Sequence, residues 1–244
     1  MSEFRIGLIS EGPTDQSVIE KVIVTAFPED RFVFSCISPT EDEIKEAKKE
    51  EGFGWGGVYK VSKKLRSKLE IAEMAGRGFD FLIIHVDGDV MMLTYDSAKI
   101  EPDSSDGHLP CYLETDRVSD NCRRLKTVVE SWISEASDRK IVYCIPYINT
   151  DVWAAYMYYT SCRDLFYEEL DKGSLNRILL GMRKADGRLV RRKGGEIKKI
   201  TKAYQDACDR LNGELLEEMR SVFSQLDSFC GQVAPEFSER YLTP

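Results

Sequence analysis

The sequence lacks any apolar run that is long enough to cross a bilayer. No stretch of its 244 residues approaches the roughly 18 consecutive apolar residues that a membrane-spanning helix requires. Its first ten residues, MSEFRIGLIS, also lack the basic start and long apolar core of a secretory signal peptide. We therefore predict a cytoplasmic protein that makes no contact with a membrane.

Histidine and closely spaced cysteine are also scarce. The chain has two histidines, and its seven cysteines include no C-x-x-C pair, which argues against a zinc site and a disulfide framework. It has no G-x-S-x-G motif for acyl transfer. It has no G-x-x-x-x-G-K-[ST] motif for binding a nucleoside triphosphate. A metal site in this chain would therefore use oxygen ligands, and any ATPase would be a separate protein.

Positive charge is concentrated in one segment. The net charge is −8, yet residues 183–202 carry nine Lys or Arg against two acids, so the other residues sum to −15. Such a segment can neutralise phosphates in a largely sequence-independent way, although a solvated helix face is the blander interpretation. The predicted nucleic-acid contacts are Arg183, Lys184, Arg188, Arg191, Arg192 and Lys193.

Apolar runs that alternate with helical patterns predict an α/β fold. Strands are predicted at 4–10, 31–38, 79–89 and 140–148. This alternation favours a mostly parallel sheet flanked by helices over residues 1–149, with an α-helical extension packed on it over 150–244. Residues 90–114 are predicted to form a long loop. Helices are predicted at 15–27, 41–50, from the glycine-rich stretch 52–57 to about 75, and at 116–136, 150–160, 162–171, 173–182, 195–211 and 213–227.

Carboxylates follow two of the predicted strands. Glu11 and Asp15 follow the first strand, and Asp87 and Asp89 follow the third. Ligands gather at the carboxyl ends of parallel strands, and crowded carboxylates repel one another unless a divalent ion neutralises them. We expect Mg²⁺ or Mn²⁺, two ions in all. The alternative is a surface turn and a helix cap. His85 is either a core histidine or part of the site.

The segments I-G-L-I-S-E-G-P-T-D and F-L-I-I-H-V-D-G-D resemble the Toprim (topoisomerase–primase) domain. That family has a glutamate after the first strand and a D-x-D after a later one. The acid four residues after the glutamate, here Asp15, is similar to the motif of the OLD (overcoming lysogenization defect) nucleases and their small stand-alone relatives. Those relatives have an acid–x–W segment, where this chain has Asp151 in place of the usual glutamate. The resemblance further implies a lysine beyond it, for which Lys198 or Lys199 stands, and a closing helix over residues 230–237.

The resemblance implies cleavage of DNA or RNA with Mg²⁺, often in phage defence. In this interpretation Glu11 and Asp15 hold one metal ion with Asp87, while Asp87, Asp89 and Asp151 serve the other. Lys198 or Lys199 would balance charge in catalysis. A second hypothesis is a regulatory or toxin-like subunit that binds metal without turnover, or is activated by a separate ATPase partner. A third keeps the fold and transfers nucleotides. The oligomeric state is left open.

Overall fold

The computed structural model describes residues 3–38, 54–65, 78–133, 140–183 and 187–238. A four-stranded sheet contains β1 (Glu3–Ile9), β2 (Arg31–Ser38), β3 (Phe81–His85) and β4 (Lys140–Cys144). Its order is β2-β1-β3-β4, and all three neighbouring pairs are parallel. The predicted α/β class with a parallel sheet is therefore confirmed, and the two strands that precede the acidic motifs are the central ones.

Helices connect and follow these strands. The α-helices of the described residues are α1 (Pro13–Ala26), α2 (Trp55–Lys63), α3 (Val118–Ser131), α4 (Thr150–Tyr158), α5 (Lys172–Gly181), α6 (Thr201–Arg210), α7 (Gly213–Val222) and α8 (Ser224–Ser238). Short 3₁₀ helices lie at Gly88–Met92, Tyr95–Ala98 and Arg163–Leu165. None of the described helices has an apolar stretch that would cross a membrane.

Side chains of the sheet alternate between two hydrophobic cores, one on each face. On β3, Phe81 and Ile83 belong to one core, while Leu82 and Ile84 belong to the other, because successive side chains of a strand point to opposite faces. All five residues of β3 are buried. A central strand that is covered on both faces is expected to be almost wholly apolar, as β3 is.

The helices of the carboxyl-terminal half cover the face to which Phe81 points. Trp153 of α4, Tyr204 of α6 and Phe229 of α8 share one core with Phe4 of β1. The same core includes Ile19 of α1. The opposite face is covered by α2 and α3. Trp55 of α2 is stacked on Trp132, which directly follows α3, with their rings 6.0 Å apart. Residues on both sides of position 149 thus contribute to one continuous core.

The predicted helix over 195–211 is wrong in its first part. The structure has β5 (Val190–Lys193) and β6 (Glu196–Lys199) as an antiparallel hairpin, and α6 begins only at Thr201. The turn contains Gly194 and Gly195 with φ of 62° and 83°. Two central residues with positive φ are what a tight two-residue hairpin turn requires, so this glycine pair is the signal that the helical interpretation overlooked.

Three other predicted elements differ from the structure. In the predicted helix over 162–171, only Arg163–Leu165 is helical, as one 3₁₀ turn. Asp171 instead caps the start of the next helix, where its carboxylate accepts a hydrogen bond from the Ser174 amide at 2.9 Å. The predicted loop over 90–114 contains two 3₁₀ turns. The predicted helix over 213–227 is two helices, and α8 includes residues 230–237. The predicted helix at 41–50 lies outside the described residues.

Candidate active site

The D-G-D motif after β3 is packed tightly against the chain that follows β4. A Cβ atom on Gly88 would lie 1.9 Å from the carbonyl oxygen of Tyr147 and 2.3 Å from that of Pro146. Such distances are far inside van der Waals contact, so only glycine fits there. The next amide, that of Asp89, donates to the carbonyl oxygen of Ile148 at 3.0 Å. These contacts fix the backbone positions from which the two flanking aspartates project.

Glu11 and Asp87 meet at the carboxyl ends of the two central strands. The Asp87 amide donates to Glu11 Oε1 at 2.8 Å, and the Glu11 carbonyl oxygen accepts from the Gly54 amide at 2.9 Å. Burial and the charge of Asp87 hold the pKa of Glu11 well above its ordinary value. Burial also raises the pKa of Asp87 to about 6. Both carboxylates are therefore held where their negative charge is poorly compensated.

A backbone amide and a histidine ring contact Asp87 Oδ1. The amide of Thr150, the first residue of α4, donates to it at 3.3 Å. His85 Nε2 lies 3.2 Å away. The His85 side chain is completely buried, and within the described residues neither of its ring nitrogens has a well-aligned hydrogen bond. The amino end of α4 attracts negative charge, and His85 borders the site as well as the core.

Asp15 and Asp151 are joined through Lys199. The Lys199 ammonium lies 2.7 Å from Asp151 Oδ1 and 3.3 Å from Asp15 Oδ1. Asp15 also accepts a hydrogen bond from the Thr150 hydroxyl at 2.5 Å, and Asp151 accepts one from Tyr204 at 2.7 Å. Burial alone would raise the pKa of Asp15, but Lys199, His85 and the Thr150 hydroxyl together outweigh it and the pKa is lowered. The same two carboxylates raise the pKa of Lys199 against the effect of its burial.

The hairpin explains why Lys199 reaches the acids and Lys198 does not. Val190 pairs with Lys199 across the two strands, so their side chains share a face. Val190 is buried in the core, and Lys199 therefore points towards the body of the protein. Lys198 projects from the other face, where its ion-pair partner is Glu196. Of the two predicted candidates, only Lys199 lies among the acidic residues.

Asp89 forms an ion pair with a residue that was not predicted, Lys172. Burial would lower the pKa of Lys172, but the attraction of Asp89, and of Asp87 and Glu11 further off, raises it. Lys172 is the first residue of α5 and lies 83 positions from Asp89. No local pattern connects the two positions. Thr150 and Tyr204 also escaped prediction, although a hydroxyl at the start of a helix that follows a strand is a usable signal for Thr150.

The predicted nucleic-acid contacts occupy the hairpin and the segment before it. Arg191, Arg192 and Lys193 are exposed on β5, and none of them pairs with an acid in the part of the chain that the structure describes. Arg188 donates to the carbonyl oxygen of Met182 at 3.2 Å. Arg183 is exposed, while Lys184 lies outside the described residues.

The donors at the strand ends fit a hard cation, but they do not form a ready-made cage. Among the described residues, no three His, Cys, Asp or Glu side chains are arranged so that they could hold a metal ion together. The carboxylates of Glu11 and Asp87 nevertheless carry the uncompensated charge that a divalent ion would neutralise. Mg²⁺ is commonly bound by one or two carboxylates and completes its shell with water and substrate phosphate. The two residues fit that mode of binding.

Comparison with known proteins does not assign the chain to a family. No protein-family model matches the chain, and no curated protein and no solved structure matches it significantly. The likeness to Toprim domains therefore stays a prediction based on the two short motifs.

Proposed function

We propose that the protein is a divalent-metal-dependent phosphodiesterase that hydrolyses nucleic acid. One observation carries the proposal: Glu11 and Asp87 approach each other at the ends of adjacent central strands, with both pKa values raised. Buried carboxylates of like charge are costly, and they are concentrated at functional sites. Such a carboxylate pair suits a polyanionic substrate that is held through a metal ion.

Glu11 and Asp87 would hold the cation, and Asp89 would serve a second one. A bound Mg²⁺ or Mn²⁺ ion supplies Lewis-acid chemistry, polarising the phosphate and lowering the pKa of water. Burial raises the pKa of Asp87 only to about 6, so this carboxyl group is mostly ionised at neutral pH and can bind a cation. The raised pKa of Glu11 implies that the cation competes with a proton there.

Lys199 would stabilise the charge that develops on the phosphate. Asp15 and Asp151 hold its ammonium group at 3.3 and 2.7 Å, and a positioned cation of this kind contributes by electrostatic preorganisation. Asp151 then acts by holding the lysine, through a carboxylate oxygen that also accepts from Tyr204. This role differs from the direct metal ligation that the motif resemblance implies for Asp151.

A second candidate function is a metal-binding subunit that needs a partner, such as an ATPase, for activity. The ion pair between Lys172 and Asp89 favours it, because an ammonium group already neutralises one of the four motif carboxylates. A partner that displaced α5 would free Asp89. Activity of the purified chain by itself would argue against this candidate.

The test uses the purified chain with supercoiled plasmid, single-stranded DNA and tRNA, each with Mg²⁺, Mn²⁺ or chelator. We expect metal-dependent cleavage that Asp87→Asn lowers by about 100-fold or more, as loss of groups that ligate or support a metal does. Asp96→Asn makes the same chemical change at an exposed position of the Tyr95–Ala98 turn and should retain activity. Calorimetry with Mn²⁺ should show weaker binding to Asp87→Asn. No cleavage of any substrate, or full cleavage by Asp87→Asn, would refute the proposal.

A further inference from the structure

The β5–β6 hairpin presents exposed positive charge in an otherwise acidic protein. Arg191, Arg192 and Lys193 occupy three successive exposed positions of β5, and no acid of the described residues forms an ion pair with them. The remainder of the hairpin's charge is less available, because Lys198 is paired with Glu196 and Lys199 with the carboxylates of the site. Cations that form no ion pair with a described acid are available to an external anion.

The hairpin is attached to the candidate site at one end. Lys199, the last residue of β6, touches Asp15 and Asp151, while the Gly194–Gly195 turn lies at the other end and is exposed. Strands rise by about 3.3 Å per residue, so the cations of β5 begin within roughly 10 Å of Lys199 along the ribbon. An anion that contacts both the hairpin cations and the carboxylates would therefore be a long molecule.

Successive side chains of β5 point to opposite faces of the hairpin, which sets the distance between the cations on one face. Arg191 and Lys193 project from the same face of the ribbon, about 6.6 Å apart. This face points outward, because the opposite face of the ribbon contains Val190, which is buried. Two cations in line at this spacing can contact different phosphates of one strand, whereas a single small anion would need them to converge.

We infer that the outward face of β5, through Arg191 and Lys193, binds the phosphate backbone of the nucleic acid whose scissile bond lies at the carboxylates. This inference rests on the proposed function for its choice of ligand. Binding would be independent of base sequence and sensitive to salt. The polymer would lie along the ribbon from the Gly194–Gly195 turn towards Lys199.

The experiment measures binding without cleavage. Fluorescence anisotropy follows a labelled single-stranded DNA of about 20 nucleotides, in chelator, over a range of salt concentrations. Loss of two phosphate contacts should make the slope of log K against log salt shallower by about 1.4, which corresponds to roughly 25-fold weaker binding at 0.1 M salt. We expect this result for the double variant Arg191→Ala with Lys193→Ala.

A matched control removes two positive charges elsewhere. Lys99 and Arg117 are exposed and lie on the side of the sheet that α2 and α3 cover. Their double alanine variant has the same net charge as the hairpin variant and should bind DNA as the wild type does. Equal weakening in both variants, or unchanged binding in the hairpin variant, would overturn the inference. Tighter, hairpin-dependent binding of polyglutamate than of DNA would overturn it too.

The design separates this inference from the proposed function. Asp87→Asn should bind the DNA at least as tightly as the wild type in chelator, because the change removes a negative charge near the phosphates and leaves Arg191 and Lys193 in place. If the hairpin pair supports DNA binding but no metal supports cleavage, the proposed function fails and the binding surface stands. If the wild type cleaves DNA and the hairpin variant binds it normally, the proposed function stands and the binding surface fails.

Discussion

Replacement of Asp87 by asparagine should stabilise the protein while it removes activity. Asp87 is 8% exposed, and burial raises its pKa to about 6. A carboxyl group whose pKa is raised on folding favours the folded state only while it is protonated. Ionised Asp87 is therefore a cost to the fold at neutral pH, which the uncharged asparagine side chain avoids.

The size of the cost follows from the two pKa values. From 3.8 in the unfolded chain to about 6 in the fold, the difference amounts to about 3 kcal/mol at pH 7.5 and roughly half of that at pH 5. The favourable contribution of Asp87 to the free energy of unfolding is complete at a pH below its pKa in the unfolded chain. It is lost as the pH rises through its pKa in the folded protein. About 3 kcal/mol in a chain of this size raises Tm by roughly 6–12 °C.

Urea unfolding in chelator at pH 7.5 and pH 5 measures the effect. Asp87→Asn should exceed the wild type in free energy of unfolding, by a larger margin at the higher pH. Asp96→Asn, at an exposed position, should match the wild type at both. Added Mg²⁺ should then stabilise the wild type and leave Asp87→Asn unchanged, because ligands stabilise only the state that binds them. A destabilised Asp87→Asn, or a margin that shrinks as pH rises, would refute the reasoning.

Three further substitutions test the surroundings of Asp87. Gly88→Ala places a methyl group 1.9 Å from a backbone oxygen, so it should lower the free energy of unfolding by several kcal/mol in urea titrations; equal stability would contradict the packing. Lys199→Met should slow cleavage by about 100-fold, as loss of a transition-state charge partner does, while Lys198→Met should not; kcat for the two variants decides. Lys172→Met should strengthen Mn²⁺ binding measured by calorimetry, because Asp89 loses a competing cation; weaker binding would show instead that Lys172 supports the metal site.

The parallel sheet and the meeting of its acids could be predicted from sequence. Strand β3 is buried along its whole length and β1 is buried from Ile6 onward, so both contain short apolar runs that are recognisable without any partner. Once two strands are central and parallel, their carboxyl ends lie at the same edge. Glu11 and Asp87 were brought together by that topology alone, and the structure agrees.

The cations of the site could not be assigned in the same way. The choice between Lys198 and Lys199 depends on alternation within a strand, and the segment reads as a helix unless the two glycines are taken as a hairpin turn. Lys172 depends on tertiary packing that places the start of α5 beside Asp89. Sequence patterns report the period of a segment, but they carry no information on which distant element it faces.

The charge balance of the site connects its stability with its proposed chemistry. Five carboxylates surround two ammonium groups, so an ionised site has more negative than positive charge among these side chains. If the network had only a structural role, replacing the surplus acid would raise the free energy of unfolding, since an unmatched buried charge costs more than an apolar or neutral replacement. A cation that binds there would instead use the surplus. The two explanations separate in one variant: both allow Asp87→Asn to gain stability, but only the second requires it to lose metal binding and cleavage at the same time.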